Sequence, residues 1–300
     1  MFDASDPRAA LAPASTAAAP TIVGDFRAAD YVLFHDLPPT VEEPGLRQWI
    51  ARGCNFLVAH AEGDADAVLA REDQPDEYAL LLPDAAMEAE VAAGGERVVV
   101  PGHSLVIIPP GPSRVTLRRA GRAVRVMTTR SADLAGLAVN AASYATRPAR
   151  IPPLADWPAP PGGFRVRRYS LDVPPTPGRF GRIFRCTTLM VNVLDRDLRP
   201  RDAAKMSPHH HDDFEQGSLV LEGAYTHHLR WPWIPDMTQW REDEHVRCGA
   251  PSLTVIPPPA VHTTRAEAEG QMVDLFCPPR RDFSAKPGWV LNADDYPTPN

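Results

Sequence analysis

Short apolar runs, each closed by Gly, Pro or Asp, recur along most of the chain. In the first half they cover residues 55–59, 78–82, 97–100, 104–108, 114–117 and 123–127. In the second half they cover residues 165–171, 183–194, 216–221, 225–229, 252–256, 261–264 and 271–276. Most are too short for a buried helix, are rich in Val, Ile and Leu, and end at turn residues, so each reads as strand. Many short strands at this spacing predict an all-β sandwich or barrel. Residues 42–50 and 131–143 depart from the pattern and read as short helices.

Proline sharpens this picture. The chain has 34 prolines in 300 residues, roughly twice the usual share. Proline fits poorly inside helices and central strands, so the excess belongs to stiff turns between strands. Pro148, Pro152, Pro153, Pro158, Pro160 and Pro161, followed by Gly162 and Gly163, mark residues 146–163 as an extended linker. The predicted organisation is a flexible tail at 1–24, a β domain at 25–145, the linker at 146–163, a second β domain at 164–285 and a C-terminal tail at 286–300.

The two halves follow one plan. Pro101-Gly102-His103 leads through an apolar run to Pro109-Pro110-Gly111-Pro112, and Cys248-Gly249 leads in the same way to Pro257-Pro258-Pro259. Laying Pro109 on Pro257 places Arg114 at the position of His262. Laying Asp84 on Gly223 places Glu77 on Gln216, and Ala70 and Glu72 on His209 and His211. On this register the first half has no imidazoles where the second half has them.

Candidate chemistry is concentrated in residues 208–223, where His209, His210 and His211 precede Glu215 and Gln216. A strand sends alternate side chains to one face, so His209 and His211 point together and His210 points away. His262, after Pro257-Pro258-Pro259, can supply a third imidazole. Glu215 and Gln216 are neighbours and face opposite sides, so only one can be a fourth donor. Counting back from Gly223 favours Gln216. Neutral imidazoles suit Fe, Ni, Cu, Zn or Mn and leave open positions for substrate. Of His227 and His228 on the next run, one must face the interior. Glu215, His228 and Tyr225 are the candidates for moving a proton. The Trp-rich residues 231–240 read equally as a lid or a dimer contact.

The spacing resembles the two motifs of the cupin superfamily. The first is Gly, five residues, HxH, three or four residues, Glu, six residues, Gly; the second is Gly, five residues, PxG, two residues, His, three residues, Asn. His209 and His211 supply the HxH, Gln216 stands at the acidic ligand's spacing before Gly223, and Pro257, Pro259 and His262 fit the second motif. The chain departs from the pattern at Ala203, Gln216, Pro259 and Ala266, which replace Gly, Glu, Gly and Asn. The resemblance implies a bicupin: two antiparallel barrels in tandem, the first degenerate, the second holding one divalent transition metal (Fe, Ni, Zn or Mn) on His209, His211, His262 and Gln216. By analogy it also implies a homodimer. The fold hosts many reactions, so the resemblance names none.

Charge and composition exclude other classes. Lys and Arg number 31 against 38 Asp and Glu, a net charge of −7, with no basic block, which argues against nucleic acid or an anionic membrane as partner. No apolar run approaches the about 20 residues of a membrane helix. There is no phosphate-cradling glycine loop and no dinucleotide fingerprint. Cys54, Cys186, Cys248 and Cys277 are widely spaced without CxxC, and the N-terminus lacks a signal-peptide pattern, so reduced thiols in a cytoplasmic protein are expected. The expected function is a metal-dependent enzyme acting on a small oxygenated molecule. An amide donor puts Lewis-acid isomerase, lyase or cyclase chemistry level with or slightly ahead of dioxygenase chemistry, and both remain open. The alternative is a non-catalytic bicupin, a binding or structural protein in which a metal or ligand only stabilises the barrel.

Overall fold

The computed structural model describes residues 6–11 and 26–299. The first half runs β1 (Asp30–Leu33), β2 (Val41–Glu43), β3 (Leu46–Arg52), β4 (Phe56–Gly63), β5 (Val68–Arg71), β6 (Tyr78–Leu82), β7 (Glu88–Ala93), β8 (Glu96–Pro101), β9 (Ser104–Ile108), β10 (Ser113–Leu117), β11 (Gly121–Thr128) and α1 (Ala132–Leu137). The second half runs β12 (Arg167–Ser170), β13 (Arg182–Arg185), β14 (Met190–Val193), β15 (Gln216–Glu222), β16 (Ala224–Arg230), β17 (Glu244–Gly249), β18 (Ser252–Ile256), β19 (Val261–Ala266), β20 (Gln271–Phe276) and α2 (Arg281–Ser284). The expected strands form, except that the run 183–194 divides into β13 and β14, which pair as an antiparallel hairpin. The expected helix at 42–50 does not form: Gly45, at φ 75°, turns β2 into β3 as a hairpin.

Each half closes two antiparallel sheets on one another. The first barrel has the orders β12-β9-β6-β11-β4-β3-β2 and β5-β10-β7-β8, and the second has β1-β18-β15-β20-β14-β13 and β17-β16-β19. The expected domain limits are crossed in both directions. β1, from the first half, pairs with β18 of the second barrel, and β12, from the second half, pairs with β9 of the first. Nor are the connecting and terminal segments loose. Ile151 and Trp157 are buried within 146–163, and Trp289 and Tyr296 are buried within 286–299. Of the expected N-terminal tail, residues 1–5 and 12–24 lie outside the described residues.

The longest apolar runs are strands covered on both sides. Along β4, Phe56 and Val58 join a core shared with Leu219 and Leu275 of the second barrel, while Leu57 and Ala59 fill the first barrel with Leu80 and Val106. Burial on both faces removes the polar–apolar alternation that a one-sided strand would show.

Strand pairing also fixes how the halves correspond. Tyr78 pairs with Ile108 as Gln216 pairs with Ile256, and Arg125 pairs with Leu80 as Asp274 pairs with Ser218. Tyr78 therefore takes the place of Gln216, and Glu77 takes that of Glu215. The sequence register was off by one residue, which reverses the face. Both carboxylates reach across to the other barrel. Glu215 Oε2 accepts from the Cys54 backbone N–H at 2.5 Å and Oε1 from the Tyr144 hydroxyl at 3.1 Å. Glu77 Oε2 accepts from the Thr187 N–H at 3.1 Å and Oε1 from the Tyr296 hydroxyl at 2.7 Å. Arg114, instead of pairing with Glu77, points to solvent.

Burial raises the Glu215 carboxyl from an ordinary 4.5 to about 7, against the lowering effect of its hydrogen bonds and Arg27. Between those values the folded chain holds a proton that the unfolded chain has lost, so this group's contribution to stability falls as pH rises. Glu215→Gln keeps an acceptor and removes the titration. The wild-type stability relative to this variant is expected to fall by on the order of 3 kcal/mol from pH 4.5 to 7, measured by urea unfolding. A pH-independent difference would contradict the assignment.

Candidate metal centre

The second barrel differs from the first in what fills it. Inside the first barrel β6 and β9 present Leu80, Leu82, Val106 and Ile108. Inside the second, β15, β18, β20 and β14 present Ser218, Thr254, Asp274 and Asn192, all buried. Buried polar groups are costly unless partnered, so a polar barrel interior is the mark of a site.

Two chain segments meet there. His209 and His262 pair through their backbones, with N–H to C=O distances of 3.0 Å and 2.7 Å. This antiparallel bridge sets their rings 4.4 Å apart between centroids, and the His211 ring lies 5.1 Å from His209 and 5.2 Å from His262. One ring nitrogen from each of the three falls within 4.8 Å of the others. His209 and His262 each place Nδ1 2.9 Å from a backbone carbonyl, of Ser207 and Ala260 respectively. Those carbonyls can only accept, so they hold the proton on Nδ1 and leave Nε2 of both rings unprotonated.

Gln216 completes the set. Its Oε1 lies 3.0 Å from His211 Nε2 and 3.4 Å from His262 Nε2. Its Nε2 donates to Asp274 Oδ1 and to Ser218 Oγ, each at 3.1 Å. Asp274 thus turns the amide so that oxygen, not nitrogen, faces the imidazoles. Burial pushes the Asp274 carboxyl up to about 6. Burial also holds the imidazoles neutral: His262 is lowered to about 4, and His209 and His211 lie well below the usual range. Neutral imidazole is the form that binds a metal. Three converging imidazoles, two of them with the proton held on Nδ1, and an oriented amide oxygen fit a divalent transition ion.

The other candidates lie elsewhere. Glu215, one residue from Gln216, faces the opposite side and is bound to the first barrel. His228 is displaced outward, with Nδ1 2.8 Å from Nδ1 of His245. Its neighbour His227 is the inward one, fully buried, with Nδ1 3.0 Å from Thr264 Oγ1 and no hydrogen bond to Nε2 among the described residues. Tyr225 donates to Asp197 Oδ2 at 2.8 Å and lines a cleft of about 410 Å³ beside the site, with Arg8, Arg201, Lys205 and Ser207. Trp233 and Trp240 stack on each other and are exposed.

Arg8 is the residue that sequence reasoning missed. Asp6 caps the turn Pro7–Ala10, and Asp6 also accepts from the Ser207 hydroxyl at 2.7 Å. Arg8 Nη1 reaches 3.4 Å from His209 Nε2, and the guanidinium lies 4.3 Å from the Phe180 ring centroid. Arg280 is a second cation nearby, 3.7 Å above Phe283 and also over Phe276. Both arginines help lower the His211 and His262 imidazoles.

In the first barrel the corresponding positions carry other chemistry. Tyr78 replaces Gln216 and bonds Ser113 at 3.0 Å, Arg125 replaces Asp274 and donates to Gln48, and Arg71, paired with Ser113 as His209 is with His262, binds Asp133. No imidazole stands at any of these three.

No protein-family model and no curated sequence matches the chain. Solved structures do. An oxalate decarboxylase from Lactobacillus farciminis, solved as a formate complex, matches 87% of this chain over 89% of its own at a TM-score of 0.57 and 14% identity. AerE from Microcystis aeruginosa matches 80% over 96% at 0.54 and 8% identity. Vicilin from hazelnut, Corylus avellana, matches 80% over 82% at 0.53 and 12% identity. Likeness over most of the chain, together with the observed sheet orders, shows that this chain has a bicupin-type fold of two antiparallel barrels in tandem.

Proposed function

We propose that the second barrel is the metal centre of an enzyme acting on a small, oxygenated, anionic organic substrate. The observation that carries this reading is the convergence of four neutral donors, His209, His211, His262 and Gln216, in a buried polar interior. A divalent ion from the Fe, Ni, Zn and Mn group, held by these residues, would supply a Lewis acid that polarises a carbonyl or steadies an enolate. With no carboxylate among the donors, positive charge is left for the substrate to neutralise. Arg8 and Arg280 add to it. Each is ion-paired, Arg8 with Asp6 and Arg280 with Asp282, and Asp274 is one hydrogen bond removed behind Gln216. A carboxylate or enolate oxygen suits such a site better than a neutral ligand does.

The chain's own groups do the remaining work. Arg8 is placed to receive an anionic oxygen near His209. His227 Nε2, buried and without a hydrogen bond among the described residues, is the group for proton transfer on this wall, in place of His228. Asp274 and Ser218 orient the amide. A structural role for the metal is the second reading. It is favoured by Arg8, whose guanidinium already occupies the space beside the His209 lone pair.

Three outcomes are expected. Purified protein carries a first-row metal at the His209–His211–His262 centre, so His209→Ala and His262→Ala each lower the metal content by about one equivalent per chain in elemental analysis. Asp274→Ala, which frees the Gln216 amide to rotate, weakens metal affinity by roughly 10–100-fold in calorimetric titrations; unchanged affinity would remove Gln216 from the donor set. Across Fe, Ni and Zn forms tested anaerobically and in air on small hydroxy and keto acids, turnover is expected without oxygen uptake. Oxygen consumption by the Fe form would turn the reading to dioxygenase chemistry, and inactivity of every form to the structural role.

A further inference from the structure

We propose a second divalent-metal site, made by His35, His60 and Glu62, on the outside of the first barrel where the exchanged N-terminal segment crosses it. One ligand atom from each of the three lies within 4.8 Å of the others. His35 Nε2 is 2.6 Å from Glu62 Oε1, and His60 Nε2 is 3.5 Å from the same oxygen. Two imidazoles and a carboxylate form a ligand set for Zn, Ni, Co or Fe(II), with positions left open to solvent. His35 is half exposed, so an ion can enter.

His60 is the observation that demands an explanation. It is fully buried, and neither ring nitrogen makes a hydrogen bond among the described residues. An imidazole in that state is costly. The fold does not require it. By strand pairing, Val58 in β4 corresponds to Val191 in β14, so His60 corresponds to Val193, a core residue of the second barrel. The ring lies parallel to Phe34, at 5.5 Å between centroids and 7° between planes, and 6.0 Å from Trp49. Aromatic packing on these sides fixes it with Nε2 toward Glu62. Burial lowers the His60 imidazole and holds it in the neutral, metal-binding form. Glu62, lowered to about 2 chiefly by the nearby His60 ring, is ionised. Arg47 binds the other carboxylate oxygen at 2.9 Å and leaves Oε1 to the imidazoles.

The placement gives the ion a structural effect. Phe34 and His35 directly follow β1, which belongs to the second barrel's sheet, whereas His60 and Glu62 belong to β4 of the first. A shared ion would tie the exchanged segment to the first barrel.

Zn(II) titration of the metal-stripped full chain tests this by calorimetry. The His209→Ala/His262→Ala double variant is expected to retain one Zn(II) equivalent, to melt at a higher temperature with Zn(II) than without, and to lose that equivalent when His35→Ala or Glu62→Gln is added. Both added substitutions are at partly exposed side chains, so neither depends on rebuilding the core around His60. The proposal is overturned if the double variant binds no Zn(II). It is equally overturned if the equivalent survives His35→Ala, or disappears with His245→Ala, which would place the ion on the exposed His228–His245 pair.

Discussion

The peptide between Glu215 and Gln216 is the hinge of this structure. A strand cannot send neighbouring side chains to the same face. One residue therefore leaves the barrel and accepts the Cys54 N–H of the other half, and the next enters the barrel and offers its oxygen to His211 and His262. Inter-barrel packing and the arrangement of the donors are thereby fixed by a single register. A slip of one residue in β15 would exchange the carboxylate and the amide and damage both.

The same register explains what the sequence showed and what it hid. Strands buried on both faces, such as β4 and β6, stand out as apolar runs because every side chain is covered. β7, with Glu88, Glu90 and small alanines, carries a weaker signal and is silent in the pattern; so is β1, whose place is decided by a partner more than 200 residues away. His209, His211, His262 and Gln216 were legible because their spacing survives without tertiary information. Asp274, Arg8 and the choice of His227 over His228 were not. Each depends on which strand lies beside which, and no local pattern encodes that. The one-residue misalignment of Arg114 with His262 arose at the proline-rich turns, where 109–112 and 257–261 lead to equivalent positions, Ser113 and His262, with one residue fewer in the first.

The two barrels show how one scaffold separates stability from chemistry. In the first, leucines and valines fill the interior, and the position of Gln216 is taken by Tyr78, whose hydroxyl is satisfied by Ser113. In the second, the equivalent interior is given to the hydroxyls of Ser218 and Thr254, the amides of Asn192 and Gln216 and the carboxyl of Asp274. Its apolar burial comes instead from the outer face of the same strands, pressed against the first barrel.

The exchange of β1 and β12 has a consequence for how such a chain can be divided. Cutting it within the proline-rich segment would hand each fragment an edge strand that belongs to the other and leave each with an unpaired sheet margin. Any recombination of the two halves with those of another chain has to carry both borrowed strands along with their hosts.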